Sequence, residues 1–218
     1  ERGAYPLSVA DMEFRTPPQV RKAVSDFANE GFFCYTDSDS VYRDAVRDFM
    51  LRRHSFRIEN DWIVCTGGVV AAINTAIRAF TSVGDKVIIQ SPVYYPFRNS
   101  IEKNERIVAD NPLIKDGNTY KMDFEGLRKL AQEDDTKLML LCSPHNPVGR
   151  VWTKKELKTV GEICLENNVV LLSDEIHFDI LRKGTEHTVI NNVDERFSAN
   201  TVICTALSKS FNLAGLGT

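Results

Sequence analysis

Hydrophobic positions along this chain fall into two rhythms that change near residue 60. In the first part they recur at helical spacing. Val20, Ala23, Val24, Phe27 and Ala28 stand at i, i+3, i+4, i+7 and i+8 behind Pro17-Pro18, and Gly31 follows. That pattern predicts a helix opened by proline and closed by glycine. Ahead of it, residues 1–16 read as an extended arm containing Val9-Ala-Asp-Met-Glu-Phe14. Behind it, Phe32-Phe-Cys-Tyr-Thr36 is an aromatic connector to a second helix at roughly 39–53, with Tyr42, Ala45, Val46, Phe49 and Met50 on one face.

The second rhythm is one of short, continuous apolar runs alternating with amphipathic stretches. Trp62–Thr66 predicts a strand, Gly67-Gly68 a sharp turn, and Val69 to about Phe80 a helix. Gly84-Asp85 turns into the strand Lys86–Gln90, then a short helix and a strand near Arg106–Ala109. Residues 110–122 read as a polar connector with turn residues at Asp116-Gly117-Asn118. Asp123 caps a helix to about Gln132, which feeds the strand Lys137–Cys142. Thr153-Lys-Lys-Glu156 has the spacing of a capping box and opens a helix to about Glu166. Two strands complete the set, Val169–Ser173 and Thr201–Cys204. Strands apolar throughout, alternating with helices, predict an α/β fold: a mostly parallel sheet covered by helices on both faces.

Composition narrows the function without naming it. With 218 residues, 43% hydrophobic and 26% charged, the chain has the make-up of an ordinary globular protein with one substantial core. A net charge of −3 gives no electrostatic reason to expect nucleic acid or an acidic membrane as partner. No apolar run approaches a membrane span, so we expect no membrane partner. Five cysteines are scattered without a C-x-x-C pair, and Cys65, Cys142 and Cys204 lie in strand-like apolar runs. Reduced thiols and a cytoplasmic setting are the expectation. Glu1 is not a natural initiator, so residues are expected in front of it.

In an open parallel sheet, ligands bind beyond the carboxyl ends of the strands. The residues predicted there are Gly67-Gly68, Tyr94, Asn146, Asp174 and Lys209. Each alone is unremarkable: a Gly-Gly turn, a loop aromatic, an Asn before Pro, a capping Asp, a loop lysine. Together they match pyridoxal phosphate (PLP), which has a phosphate, an aromatic ring with a phenolic oxygen, a ring nitrogen and an aldehyde. Gly67-Gly68 opens a helix whose amino terminus favours a phosphate. Tyr94 would stack on the ring, Asn146 would donate to the phenolic oxygen, and Asp174 would pair with the protonated ring nitrogen. His177 would contact the phenolic-oxygen side or tune Asp174. Lys209 would form the Schiff base and, when freed by a substrate amine, move protons at the α-carbon.

Three other readings fail on missing parts. Leu171-Leu-Ser-Asp-Glu-Ile-His177 looks like a helicase D-E-x-H box, but no G-x-x-x-x-G-K-[ST] loop precedes it. Asp174 and His177 have no cluster of further metal ligands at suitable spacing. Thr66-Gly-Gly-Val-Val70 does not fit the nicotinamide-binding G-x-G-x-x-G.

Ser143-Pro-His-Asn-Pro-Val-Gly149, Ser173-Asp-Glu-Ile-His177 and Ser208-Lys-Ser-Phe-Asn212 resemble, in order, the Asn, Asp and Lys motifs of fold-type-I PLP enzymes of the class I/II aminotransferase group. Val9–Phe14, Tyr35-Thr36, Thr66–Val70 and His177 resemble the cystathionine β-lyase-like (C–S lyase) branch, and the likeness runs from about Tyr5 to Thr218. It implies a PLP-dependent transferase-like large domain with a mostly parallel (mixed) sheet. It implies a homodimer with Tyr35 of the partner subunit reaching the phosphate, Ser208 as a phosphate-side hydroxyl, and backbone groups of Gly68, Val69 and Val70 as the phosphate loop. Departures are Ser8 for the usual Trp, Glu13 for Asp, Cys34 for Gly, and Gly67 where many relatives have Pro. Relatives are nearly twice as long and continue into a small domain that supplies an arginine for the substrate carboxylate. We therefore expect residues 1–36 to be an arm and helix for small-domain or dimer contacts. Residues 37–218 would be a PLP-binding large domain cut short at its carboxyl end. The activity implied is carbon–sulfur β-elimination from a small cysteine-type amino acid, giving a thiol, pyruvate and ammonia. An aminotransferase shares the same constellation, and an inactive interaction module is the remaining alternative.

Overall fold

Seven strands form in the computed structural model, which describes Gly3 and residues 10–216. They are β1 (Lys86–Ile89), β2 (Ile107–Asp110), β3 (Ile114–Asp116), β4 (Thr119–Lys121), β5 (Thr136–Cys142), β6 (Val170–Asp174) and β7 (Thr201–Cys204). Five of them make one sheet in the order β2-β1-β5-β6-β7, with every pairing parallel. The chain leaves β1 to one side for β2, then crosses to the other side for β5. This reversal makes the carboxyl ends of β1 and β5 the point where a crevice opens.

Alternation along the strands sends side chains to two separate cores. On one face, Ile88, Met139, Leu141 and Leu171 pack with Leu127 of α5 (Phe124–Ala131) and with Leu157, Val160 and Ile163 of α6 (Lys154–Glu166). On the other, Val87, Ile89, Leu138, Leu140 and Leu172 pack with Ile73 and Ile77 of α3 (Val69–Phe80) and with Phe97 and Ile101 of α4 (Pro96–Lys103). Each fully buried aliphatic side chain contributes roughly 1.5–3 kcal/mol of transfer free energy. A third, smaller cluster of Met50, Phe56, Phe178 and Val189 ties α2 (Ser40–His54) to the segment that follows β6.

The helix ends follow the expected chemistry. The Glu156 N–H donates to Thr153 Oγ1 at 3.2 Å and the Thr153 N–H to Glu156 Oε2 at 2.8 Å, which is the reciprocal capping box. Asp123 caps α5 through the Gly126 N–H at 3.0 Å, and Asp39 caps α2 through the Tyr42 N–H at 2.9 Å.

Several expectations are corrected. Asn60–Trp62 is a single 3-10 turn, and 63–66 is not a strand. A strand needs a neighbour for its backbone groups, and among the described residues none pairs with 63–66; Val64 is 82% exposed and Cys65 is exposed rather than buried. The connector at 110–122 contains the antiparallel β3–β4 hairpin, turned at Gly117 with φ +59°. Helix α1 (Pro18–Glu30) forms as expected and ends at Gly31 with φ +72°, yet no residue of its apolar stripe is buried. Ser8 and Val9 lie outside the described residues.

Candidate active site

Asp174 is the last residue of β6, the strand between β5 and β7, and it stands in register with Cys142 and Cys204. Its side chain is nearly buried, at 4% exposure for the residue. Oδ1 accepts the Ile176 N–H at 3.2 Å. Among the described residues no lysine, arginine or histidine forms an ion pair with it; the charge it feels is that of Glu175. Burial pushes the Asp174 pKa up to about 7.

The loops beside Asp174 come from the two strands at the topological reversal. Tyr94 lies beyond β1, half-buried, its ring 5.6 Å from Tyr95 and edge-on to Phe97 at 6.2 Å. Burial raises its pKa, and the neighbouring Tyr95 and Asp174 add to the rise. Asn146 lies beyond β5 and is half-buried; its N–H donates to Cys142 Sγ at 3.3 Å, while its side-chain amide has no partner among the described residues. The loop is tight: the His145 N–H donates to Arg150 O at 2.7 Å, and the Gly149 N–H to His145 O at 2.8 Å.

His145 is a residue whose part the sequence did not disclose. Its Nε2 lies 3.0 Å from Pro92 O, joining the loop after β5 to the loop after β1. Burial holds its pKa down at about 4, so the ring is neutral and its proton sits on the Nε2 that donates to that carbonyl. The only signal in the sequence was a histidine between two prolines.

On the far side of Asp174, Lys209 sits on α7 (Leu207–Ser210), a short helix rather than the expected loop. Its Nζ donates to Ala10 O at 3.0 Å and lies 3.7 Å from Asp11 Oδ1. His177 is half-buried after β6; burial first, and then the Lys209 charge, lower its pKa. The two residues therefore share one neighbourhood. Ser208 is half-buried, and its carbonyl accepts the Leu213 N–H at 2.8 Å.

Gly68 precedes α3 with φ +101°, a conformation that only glycine adopts without strain. No side chain caps the helix, and a Cβ added at Gly67 or Gly68 would meet nothing within 4 Å. Val69 is buried and Val70 exposed, and the first-turn amides of α3 receive no side-chain cap. Tyr35 stands apart, fully exposed on the aromatic connector.

Loops from β1, β5, β6 and β7 thus converge at one sheet edge, and their donor set suits the expected cofactor. The nearly buried carboxylate of Asp174 has no cationic partner among the described residues, and a protonated pyridine nitrogen would provide one. An amine, an unpartnered amide and an uncapped helix terminus are matched to an aldehyde, a phenolic oxygen and a phosphate. Among the described residues no group of three or more His, Cys, Asp or Glu side chains could hold a metal ion. No helix among them is long and apolar enough to cross a membrane.

The aminotransferase class I and II family model matches residues 3–218. The cystathionine beta-lyase PatB of Bacillus subtilis is 41% identical over 213 residues, 98% of this chain and 55% of that protein. Cystalysin from Treponema denticola, whose crystal structure contains a pyridoxal 5'-phosphate cofactor, superposes with a TM-score of 0.96 at 44% identity, over 100% of this chain and 55% of that one. The PLP-bound C-S lyase from Staphylococcus hominis superposes with a TM-score of 0.91 at 35% identity, over 95% of this chain and 53% of that one. The chain spans about half the length of these relatives. By this match along nearly its whole length, the chain belongs to the aminotransferase class I and II family.

Proposed function

We propose that the protein binds PLP at this sheet edge and cleaves the carbon–sulfur bond of small cysteine-type amino acids, releasing a thiol, pyruvate and ammonia. The observation that carries the reading is Asp174: a nearly buried carboxylate at the end of a central strand, with no ion-pair partner among the described residues. The similarity to a cystathionine beta-lyase and to C-S lyases supports carbon–sulfur cleavage in particular.

When bound, PLP supplies an electron sink for charge developing at the substrate's α-carbon. Asp174, facing the ring nitrogen, would be held ionised and keep that nitrogen protonated. Tyr94 would cover a ring face, and Asn146 would donate its side-chain N–H to the phenolic oxygen, with His177 on the same side. The amides of Gly68, Val69 and Val70 and the hydroxyl of Ser208 would receive the phosphate. Lys209 would hold the cofactor covalently and, once released, take the α-proton on Nζ. Burial of Asp174 strengthens its contact with the ring nitrogen in particular.

The whole protein is read as a homodimer in which Tyr35 of the partner subunit completes the phosphate site. Support comes from the exposed aromatic cluster of Phe32, Phe33 and Tyr35 and from the unburied apolar stripe of α1. The same stripe supports residues 1–36 as a docking element and 37–218 as the large domain. Three buried free cysteines suit a reducing, cytoplasmic setting.

The family itself includes aminotransferases, which would use the same residues and return the proton to the cofactor carbon. Incubating the whole protein with PLP and cystathionine separates the two. Pyruvate formed without a keto-acid acceptor supports the lyase; turnover that requires the acceptor overturns it in favour of transfer.

A further inference from the structure

The short helix that carries Lys209 has little to hold it in place by itself. Helix α7 has four residues and no side-chain N-cap, and it is closed by backbone bonds from Phe211 N–H to Leu207 O at 3.0 Å and from Leu213 N–H to Ser208 O at 2.8 Å. An isolated helix of this length is not stable. Among the described residues, the side-chain hydrogen bonds of residues 207–213 run almost entirely to the arm: Lys209 to Ala10, and the Asn212 amide to Met12 and Phe14, while the Thr16 hydroxyl donates to the Asn212 carbonyl. One alone reaches the body of the domain. The hydroxyl of Ser210, the residue after Lys209, donates to Asp179 Oδ2 at 2.5 Å.

Asp179 is itself held firmly. Its other oxygen, Oδ1, accepts from the Arg53 guanidinium at 3.3 Å and lies 3.4 Å from His54 Nε2. Arg53 and His54 form the last turn of α2. The His54 ring stacks on Phe178 at 3.9 Å and 13°, and Phe178 is buried. Backbone bonds from Phe178 N–H to Glu175 O at 3.0 Å and from Ile180 N–H to His177 O at 2.9 Å fix the segment after β6. Asp179 therefore lies five residues beyond Asp174 on a rigid run, with one oxygen on α2 and the other on the Lys209 helix.

We propose that Asp179 is a positioning residue that fixes Lys209 relative to Asp174, acting through the hydroxyl of Ser210. It touches neither cofactor nor substrate. This rests on the reading of Lys209 as the point of PLP attachment. A hydrogen bond to a charged group, made to a short helix whose other side-chain bonds run to the arm, is worth roughly a factor of ten in the equilibrium it biases. In its absence α7 would sample orientations in which Nζ misses the aldehyde.

The test uses the whole protein freed of cofactor, with PLP as the probe. Uptake is followed by visible absorption, attachment by borohydride fixation and peptide mapping, and folding by the melting temperature without PLP. Ser210→Ala is expected to weaken PLP uptake about tenfold with an unchanged melting temperature, and Ser210→Thr to stay within twofold of the parent. Asp179→Asn, which keeps an acceptor but loses the charge, is expected to fall between them; if it does not fold, Ser210→Ala decides, because it leaves the Arg53–Asp179 hydrogen bond in place. Uptake by Ser210→Ala within twofold of the parent overturns the proposal. So does a loss that tracks a fall in melting temperature and is not rescued by threonine. A parent protein that takes no label on Lys209 overturns instead the reading on which the proposal stands.

Discussion

Replacing Asp174 by asparagine should stabilise the cofactor-free protein at alkaline pH while weakening its hold on PLP. An unfolded Asp releases its proton near 3.8, whereas burial raises the folded pKa to about 7. Between those pH values the folded chain carries one more proton than the unfolded chain, so stability falls as pH rises, by about 1.4 kcal/mol per unit. Across the window the loss is on the order of 4 kcal/mol, against a total stability of roughly 5–15 kcal/mol for a typical domain. Asparagine has no charge to bury, and its side-chain oxygen can still accept the Ile176 N–H. Urea unfolding of both proteins without PLP at pH 4 and pH 8 measures the effect. The variant should match the parent at pH 4 and exceed it by about 4 kcal/mol at pH 8. PLP should then restore stability to the parent and much less to the variant. A stability difference that does not change between pH 4 and 8 would refute the reasoning, because it would mean that Asp174 ionises in the folded chain as it does in water.

Two further substitutions test the frame that presents the site. Helix α6 approaches Phe197 so closely at Gly161 that an added methyl would overlap the buried ring; Gly161→Ala should cost about 1–3 kcal/mol, read as a lowered melting temperature. Glu175 is fully buried and accepts from Ser173 Oγ at 2.9 Å and the Ile190 N–H at 3.1 Å, with His187 Nε2 at 2.8 Å. Glu175→Ala leaves all three without their partner and should cost about 3–5 kcal/mol in urea unfolding; a loss below 1 kcal/mol would contradict the assigned network.

What could be read from the residues depended on whether the cause was local. Leu138–Cys142 of β5 and Val170–Leu172 of β6 are continuously apolar because both faces of the sheet are covered there, and that is visible in the sequence. The capping box at Thr153 is legible because both partners lie within four residues. Residues 62–66 misled because their β-propensity is local and the strand's partner is not. The apolar stripe of α1 correctly announced a helix, but local spacing does not say what covers it. Tyr94, Asn146, Asp174 and Lys209 were legible through topology: each follows an apolar run, and parallel strands bring such ends to one edge. The supporting contacts were not. His145 reaches Pro92 across 53 positions, and Ser210 reaches Asp179 across 31; each tie is set by the packing of elements distant in the chain.

Asp174 and Lys209, a buried acid and a lysine at one sheet edge, are proposed to hold PLP between them. A crystal structure of the whole protein with PLP tests this most directly. Continuous density is expected from Lys209 Nζ to the cofactor's aldehyde carbon, with an Asp174 oxygen at about 2.7–2.9 Å from the ring nitrogen, the span of a charge-assisted hydrogen bond. PLP absent from that edge, or bound with its ring nitrogen turned away from Asp174, would contradict it.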